Sequence, residues 1–183
     1  MNQKKVAVFG DLTALFSARS ALKKNINYNH IDLAIKKLFK INSFATANWY
    51  TLYHPDNKSQ VEFIKTLQLL NWKIITKHPS EIRRNSSNTP TDYRFDAQIA
   101  YDIGESSVDS EYDQIVVVSD SIELLRPLKL ATEFDLNVSL IFFNEAMDRR
   151  WWKPLDDSRI QFTDLSSLLY SNCEELDAKS ERF

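Results

Sequence analysis

The chain has 183 residues, of which 43% are hydrophobic and 26% are charged, and its formal net charge is -2. These values are ordinary for one soluble globular domain that buries a single core. No apolar run approaches the ~20 residues that span a bilayer, and the first run is too short for a signal peptide. The single cysteine, Cys173, excludes an internal disulfide, so we expect a cytoplasmic protein.

The small net charge hides a difference between the two halves of the chain. Residues 1–94 carry 15 Lys and Arg against 6 Asp and Glu, whereas residues 95–183 carry 8 against 19. Such a split can place a basic face beside an acidic centre, and this arrangement suits the binding of a nucleic-acid phosphate backbone. The alternative is that the charges are interleaved in the folded domain, and the sequence slightly favours this alternative.

The first half of the chain alternates apolar strands with amphipathic helices. Short apolar or aromatic runs predict strands, and apolar residues at helical spacing predict helices. In chain order, we predict a strand at 6–9, helices at 12–24 and 30–41, a strand at 44–53, a helix at 59–70 capped by Ser59, and a strand at 72–76. Residues 77–91 form a long irregular stretch of a kind that is usually functional or mobile.

The second half continues the same alternation. We predict a helix at 92–103 capped by Thr89 or Thr91 and ended by Gly104, an acidic connector at 105–113, strands at 115–118, 138–143 and 160–162, and helices at 123–134 and 165–170, the last capped by Asp164. The strand at 115–118 has no polar alternation, which indicates a parallel sheet covered on both faces. The order predicts one doubly wound α/β domain over residues 1–171, with a mainly parallel central sheet flanked by helices, and a C-terminal tail at 172–183.

Acidic residues follow two of these strands directly. Asp11 follows the first strand and Asp120 follows the strand at 115–118. Ligands collect at the carboxyl ends of parallel strands, so both side chains are candidates for a site. Asp96 can reach the same place from its helix, and Glu123 could add a fourth carboxylate. Asp102 lies about 120° around the helix from Asp96; it could support the site from behind or be an ordinary surface acid, and we favour the surface acid.

Close carboxylates repel each other, and a hard cation such as Mg²⁺ or Mn²⁺ relieves the repulsion. Such a metal would activate water and stabilise the leaving oxygen of a phosphodiester. The alternative for Asp11 and Asp120 is that each only caps the helix after it, because Asp is common at N-caps. The two glycines, Gly10 and Gly104, leave no Gly-rich phosphate loop, which excludes dinucleotide-binding and P-loop sites.

Basic and aromatic residues near these acids suggest a nucleic-acid partner. Four basic residues precede Asp96 in the sequence and could hold the phosphates of a nucleic acid: Lys77, Arg83, Arg84 and Arg94. An equally good alternative is that they belong to a solvated loop. Trp151 and Trp152 could stack on bases. More often such a pair packs against a sheet edge or a partner subunit, which makes a homodimer an open expectation.

Three segments together resemble a known family. The run Phe9-Gly10-Asp11-Leu12-Thr13-Ala14-Leu15-Phe16 is similar to the opening of NYN domains, in the LabA-like branch of the PIN-like nucleases. Residues 94–102 resemble the central helix motif of that family, and residues 117–128 resemble its Ser-Gly-Asp-Ser-Asp segment with the Pro-Leu that follows. Residues 160–165 resemble its last strand and helix. The likeness covers residues 4–170, nearly the whole chain.

The resemblance implies a PIN-like fold and a metal-dependent endoribonuclease. By position, Asp11, Asp96 and Asp120 are its metal-binding and catalytic acids, and Glu123 is the nearest match to the last catalytic acid. The chain departs from the family pattern at three positions, since Leu12 replaces a Gly, Ala14 an Asn and Ile122 an Asp. These departures support a second hypothesis, a catalytically degenerate NYN module that binds RNA or regulates a partner without turnover.

Overall fold

A computed structural model describes residues 4–23, 25–78, 95–109, 111–156 and 158–169 of the chain. The strands are β1 (Val6–Asp11), β2 (Thr46–Leu52), β3 (Lys73–Lys77), β4 (Gln114–Val118), β5 (Asn137–Phe142) and β6 (Ile160–Asp164). The helices are α1 (Leu12–Leu22), α2 (Tyr28–Phe39), α3 (Lys58–Gln68), α4 (Asp96–Val108), α5 (Leu125–Glu133) and α6 (Trp152–Asp156). Short 3-10 turns lie at Ile122–Leu124, Asn144–Ala146 and Arg149–Trp151, and residues 165–169 are helical.

The six strands form one sheet in the order β3-β2-β1-β4-β5-β6, and every neighbouring pair is parallel. This confirms the predicted doubly wound α/β fold. The central strands β1 and β4 are buried along their whole length, as their unbroken apolar sequences predict. The sheet grows from β1 in both directions, so the order of strands reverses between β1 and β4.

Helices cover both faces of the sheet, as the right-handed crossover rule requires. On the first face, α1, α2 and α3 meet over β2 in an aromatic cluster, in which Trp49 stacks on Trp72 with ring centroids 3.9 Å apart. Phe16, Tyr28 and Phe63 complete this cluster through edge-on and tilted contacts. On the second face, Tyr50 of β2 meets Phe95 at the start of α4, and α4 packs against α5.

Gly10 in β1 lies directly against the indole ring of Trp49, which belongs to the aromatic cluster. Gly10 pairs with Trp49 in the register of β1 and β2. A Cβ atom at position 10 would overlap Cε3 and Cζ3 of the Trp49 ring and lie 2.6 Å from its Cδ2. The indole therefore lies flat over the strand at a residue that has no side chain.

Several predicted boundaries are wrong in informative ways. The cap of α3 is Asn57, whose Oδ1 accepts from the Gln60 amide at 3.2 Å, and not Ser59. Helix α4 continues through Gly104 to Val108, because Ile103 and Ser107 keep its buried face going. Thr89 and Thr91 lie outside the described residues, and the N-cap position is held by Phe95 without a side-chain hydrogen bond. The short helix α6 was not predicted.

The cap at the end of β6 was predicted correctly. Asp164 accepts from the amides of Asn144 and Ser166 at 3.1 and 3.2 Å, and from the hydroxyl of Ser167 at 3.1 Å. The predicted tail at 172–183 lies outside the described residues, so the domain limits stay a prediction. In the described part of the chain, none of the helices has the length and apolar character needed to cross a bilayer.

Gly104 gives a prediction about stability. It lies inside α4, has no positive φ, and a Cβ added there would meet no atom within 4 Å. We expect Gly104→Ala to raise the free energy of unfolding by roughly 0.5–1 kcal/mol, because alanine lowers the entropy of the unfolded chain and favours helix. Urea denaturation measures the change. A lower midpoint for the variant would show that position 104 is not ordinary helix interior.

Candidate functional site

The site lies at the carboxyl edge of the sheet, where β1 and β4 are neighbours. Asp11 is the last residue of β1, and Ser119 and Asp120 follow the end of β4. Strand connections leave this point in opposite directions, which opens a crevice between them and makes it the usual ligand position in such sheets. The topology therefore places the two predicted acids at one edge, on adjacent strands.

Asp11 is buried, with 3% of its surface exposed. Its Oδ1 accepts a hydrogen bond from the Ala14 amide at 3.0 Å, so it caps α1. The capping interpretation of Asp11 is thus correct, and the same bond fixes the carboxylate at the edge of the sheet. A cap and a ligand-binding group are compatible roles for one carboxylate, because it has several acceptor positions.

The surroundings of Asp11 disfavour its charge. The pKa of its carboxyl rises from the ordinary 3.8 to about 6, mainly because burial removes water. The charges of Asp120 and Asp96 raise that pKa further, whereas the amides of Ala14 and Thr13 lower it. Asp96 and Asp120, both predicted from the sequence as site residues, are therefore close enough to act on Asp11.

Another buried acid shows how different this arrangement is. Asp32 in α2 is 4% exposed, and its carboxylate accepts from Lys36 at 2.6 Å and from the Trp72 indole at 2.9 Å. Asp32 is thus a structural acid whose charge is compensated. The side-chain charges that act on Asp11 are carboxylates, which disfavour the charged form of Asp11 and cost stability.

Asp120 is held by a residue far along the chain. The Trp151 indole donates to the Asp120 carbonyl oxygen at 2.9 Å, and the Ser119 hydroxyl accepts from the Ser121 amide at 3.2 Å. Trp151 is fully buried, so its ring packs in the core and cannot stack on a base. Its indole N–H positions the backbone at Asp120. Trp152 is 37% exposed and packs edge-on against Phe162, with centroids 5.5 Å apart.

Glu123 has a different environment from the three aspartates. It is exposed on the 3-10 turn after Asp120, and its charge acts on the neighbouring Arg150. It is not among the charges that raise the pKa of Asp11. Glu123 instead lines an open groove of about 740 Å³ that follows α5 past Arg126 and Lys129. Its role as a fourth catalytic carboxylate stays a prediction.

Lys77 is the one predicted phosphate-binding residue that the structure describes. It ends β3 at the same carboxyl edge, with Nζ 5.2 Å from the centroid of the Phe95 ring. Phe95 directly precedes Asp96, so a basic group lies beside the acidic site. Arg83, Arg84 and Arg94 lie outside the described residues.

The acids suit a divalent metal by their chemistry. Carboxylate oxygens are the ligands that Mg²⁺ and Mn²⁺ prefer, and a cation would relieve the repulsion around Asp11. Within the described ranges, however, no three His, Cys, Asp or Glu side chains are arranged closely enough to hold a metal as they stand. Metal binding would therefore require these side chains to turn toward one another.

Sequence reasoning missed the role of Asp102. It was expected to be a surface acid, and this is wrong, because it is half-buried and accepts from the Tyr50 hydroxyl at 2.5 Å and from Gln98 at 2.9 Å. Tyr50 is fully buried and pairs with Asp11 in the register of β1 and β2. Tyr50 and Asp102 are 52 residues apart, so the sequence alone gave no sign of the contact.

Comparisons with known proteins identify the fold and the family of the chain. No curated protein matches the chain. A crystal structure of a protein of unknown function from Vibrio parahaemolyticus is 17% identical, covers 89% of this chain and 93% of its own, and has a TM-score of 0.71, which shows a shared fold. The family model for the NYN domain matches residues 5–153, and NYN domains are part of the PIN-like nuclease superfamily, whose members usually use divalent metals. The matched segment covers most of the chain and includes Asp11, Asp96 and Asp120. Because the match covers most of the chain, the chain belongs to the NYN domain family.

Proposed function

We propose that this protein is a metal-dependent endoribonuclease that hydrolyses phosphodiesters at the carboxyl edge between β1 and β4. The observation that carries the proposal is the buried carboxylate of Asp11, which lies between β1 and β4, where the order of strands reverses. The charges of Asp96 and Asp120 raise the pKa of this carboxyl group. A buried acid whose pKa is raised by burial and by two further acids is a candidate functional group, because such an arrangement costs stability. Mg²⁺ or Mn²⁺ is the metal proposed.

Each acid is held by a different part of the fold. The Ala14 amide orients Asp11, the Trp151 indole fixes the backbone at Asp120, and α4 carries Asp96. A bound divalent metal would supply water activation and charge stabilisation for phosphodiester hydrolysis. Lys77 at the same edge would attract and orient the phosphates of an RNA strand. Arg83, Arg84 and Arg94 are proposed as further contributors from their position before Asp96 in the sequence. Glu123 is proposed from its position after Asp120 and from the family likeness.

A second candidate function is an RNA-binding or regulatory module without turnover. The positions that depart from the family pattern favour it, since Leu12 and Ala14 are buried apolar residues beside Asp11 that cannot bind a polar ligand. This candidate predicts salt-sensitive RNA binding without cleavage. It shares the fold and the edge of the sheet with the first, and an activity measurement separates them.

Asp120→Asn tests the proposal. We expect it to reduce Mn²⁺-dependent RNA cleavage by more than the roughly 10–100-fold that loss of an outer-shell group costs, because it would remove a metal ligand. The fold should be intact, since Trp151 donates to the backbone of residue 120 and not to its side chain. Cleavage of a labelled single-stranded RNA, with circular dichroism of both proteins, measures these effects.

Asp135→Asn is the matched control, because Asp135 is an exposed acid at the turn before β5, on the opposite edge of the sheet. Its positive φ of 59° is one that asparagine tolerates. This variant should cleave RNA like the wild type. If purified protein cuts no RNA in Mn²⁺ yet binds it, the second candidate is correct. Equal cleavage by Asp120→Asn and wild type would contradict a role for Asp120.

A further inference from the structure

Tyr50 joins the sheet to α4 by two separate contacts. Its ring packs against Phe95 with centroids 5.9 Å apart, and its hydroxyl donates to Asp102 Oδ2 at 2.5 Å. Asn48, two residues earlier in β2, also hydrogen-bonds to this hydroxyl. The Tyr50 side chain is buried and Asp102 is half-buried, so the hydrogen bond between them is partly shielded from water, which strengthens it.

The two contacts lie on one face of α4. Phe95 and Asp102 are seven residues apart, which brings them to within about 20° of the same direction around the helix. Gln98 lies between them on that face and donates to Asp102 Oδ1 at 2.9 Å, which holds the carboxylate toward Tyr50. Contacts at both ends of the first two turns fix the rotation of the helix and its height above the sheet.

Asp96 is carried by the part of the helix that Tyr50 fixes. It follows Phe95 directly and lies about 100° further around the axis. This is the side of Ile99 and Ile103, both of which are fully buried. Small rotations of α4 would therefore move the Asp96 carboxylate relative to Asp11, which pairs with Tyr50 across β1 and β2.

Among the described residues, no side-chain cap fixes the start of α4. The N-cap residue is Phe95, which makes no side-chain capping hydrogen bond. A helix that starts without such a cap depends on tertiary contacts for its orientation. Tyr50 supplies contacts of this kind from the strand next to β1.

We propose that Tyr50 and Asp102 are positioning residues that hold Asp96 toward Asp11. The consequence for metal binding and cleavage rests on the proposed function, whereas the restraint on α4 does not. Neither residue needs to touch the metal or the RNA. The essential element of the arrangement is the hydrogen bond between the Tyr50 phenol and an acceptor on the helix.

Tyr50→Phe removes this hydrogen bond and keeps the ring against Phe95. We expect it to weaken Mn²⁺ binding and to lower kcat by about 10-fold with little change in KM, as loss of an outer-shell partner does. Asp102→Ala should behave like Tyr50→Phe. Asp102→Asn keeps an acceptor for the hydroxyl and should recover most of the affinity. Calorimetric Mn²⁺ titration and single-turnover cleavage of RNA measure these effects.

Tyr112→Phe is the matched control, because it removes a tyrosine hydroxyl that bonds to Thr46 at 3.0 Å near the start of β2, away from the acids. It should leave metal affinity and kcat unchanged. In an Asp96→Asn background, Tyr50→Phe should have no further effect on Mn²⁺ affinity, because its effect acts through Asp96. An effect of Tyr50→Phe no larger than that of Tyr112→Phe would overturn the proposal.

Failure of the proposed function gives a distinguishable result. If wild-type protein binds no Mn²⁺ and cuts no RNA, the nuclease proposal fails, and hydrogen exchange then tests the restraint alone. Amides at residues 99–103 should exchange faster in Tyr50→Phe than in Tyr112→Phe, because α4 opens more easily without the hydrogen bond. Equal exchange in the two variants would overturn the positioning role.

Discussion

Gly10→Ala is expected to destabilise the fold by more than about 3 kcal/mol, at or beyond the upper end of the usual cost of overpacking. The added methyl group would overlap the Trp49 ring. That ring cannot move away easily, because it is fully buried between the strand and the stacked indole of Trp72. Urea denaturation should show a large fall in midpoint, or no folded protein at all.

A double-mutant cycle identifies the cause of this destabilisation. Trp49→Leu alone will cost stability by leaving a cavity beside Trp72. If the clash with the indole is the cause, adding Gly10→Ala to Trp49→Leu should cost far less than adding it to the wild type. An equal cost in both backgrounds would mean that the backbone at Gly10, and not the ring, rejects a side chain. Gly104→Ala makes the same chemical change in open space and serves as the control.

Asp11→Asn is expected to stabilise the protein at neutral pH, although it should abolish metal binding. The pKa of Asp11 is about 6 in the folded chain against an ordinary 3.8. The folded state therefore binds more protons between these values, and stability falls as the pH rises through this range. The charged form costs the folded protein roughly 3 kcal/mol above pH 6. Asparagine carries no charge and still caps α1.

We therefore expect Asp11→Asn to exceed the wild type in free energy of unfolding by about 1–3 kcal/mol at pH 7.5, with the difference vanishing near pH 4. Urea unfolding at several pH values measures it. Asp32→Asn is the control with the opposite sign, because Asp32 is paired with Lys36 at 2.6 Å. Added Mn²⁺ should raise the stability of the wild type and not of Asp11→Asn. A variant that is less stable than the wild type at pH 7.5 would contradict the prediction.

The sequence predicted the features that depend on local pattern. Strands without polar alternation predicted a parallel sheet covered on both faces, and the strand ends located Asp11 and Asp120 at its carboxyl edge. Electrostatic coupling between these acids and Asp96 follows from that topology. The family likeness had the same origin, since its motifs lie at the ends of strands and at the start of α4.

Features that depend on distant contacts were not predictable in this way. The hydrogen bond of Tyr50 to Asp102 and that of Trp151 to Asp120 join residues 52 and 31 positions apart. Gly104 suggested a helix end, yet buried residues beyond it continued α4. Ser59 and Asn57 are both good caps, and only the backbone geometry distinguishes them. Tertiary contacts decided the two hydrogen bonds and the length of α4, and local backbone geometry decided the cap.

The central position of β1 also has consequences for how the protein is made. The N-terminal strand needs β4 as its second neighbour, and the amide of Lys5 bonds to Asp113, 108 residues later. Sheets built from such distant pairings fold slowly, and an unpaired apolar edge invites association with other chains. A nascent chain that ends before β4 keeps one edge of its most apolar strand open. Asp11 and Asp120 cannot come together until residue 120 has been synthesised, so the site cannot form while the elements from β1 to α4 are being made.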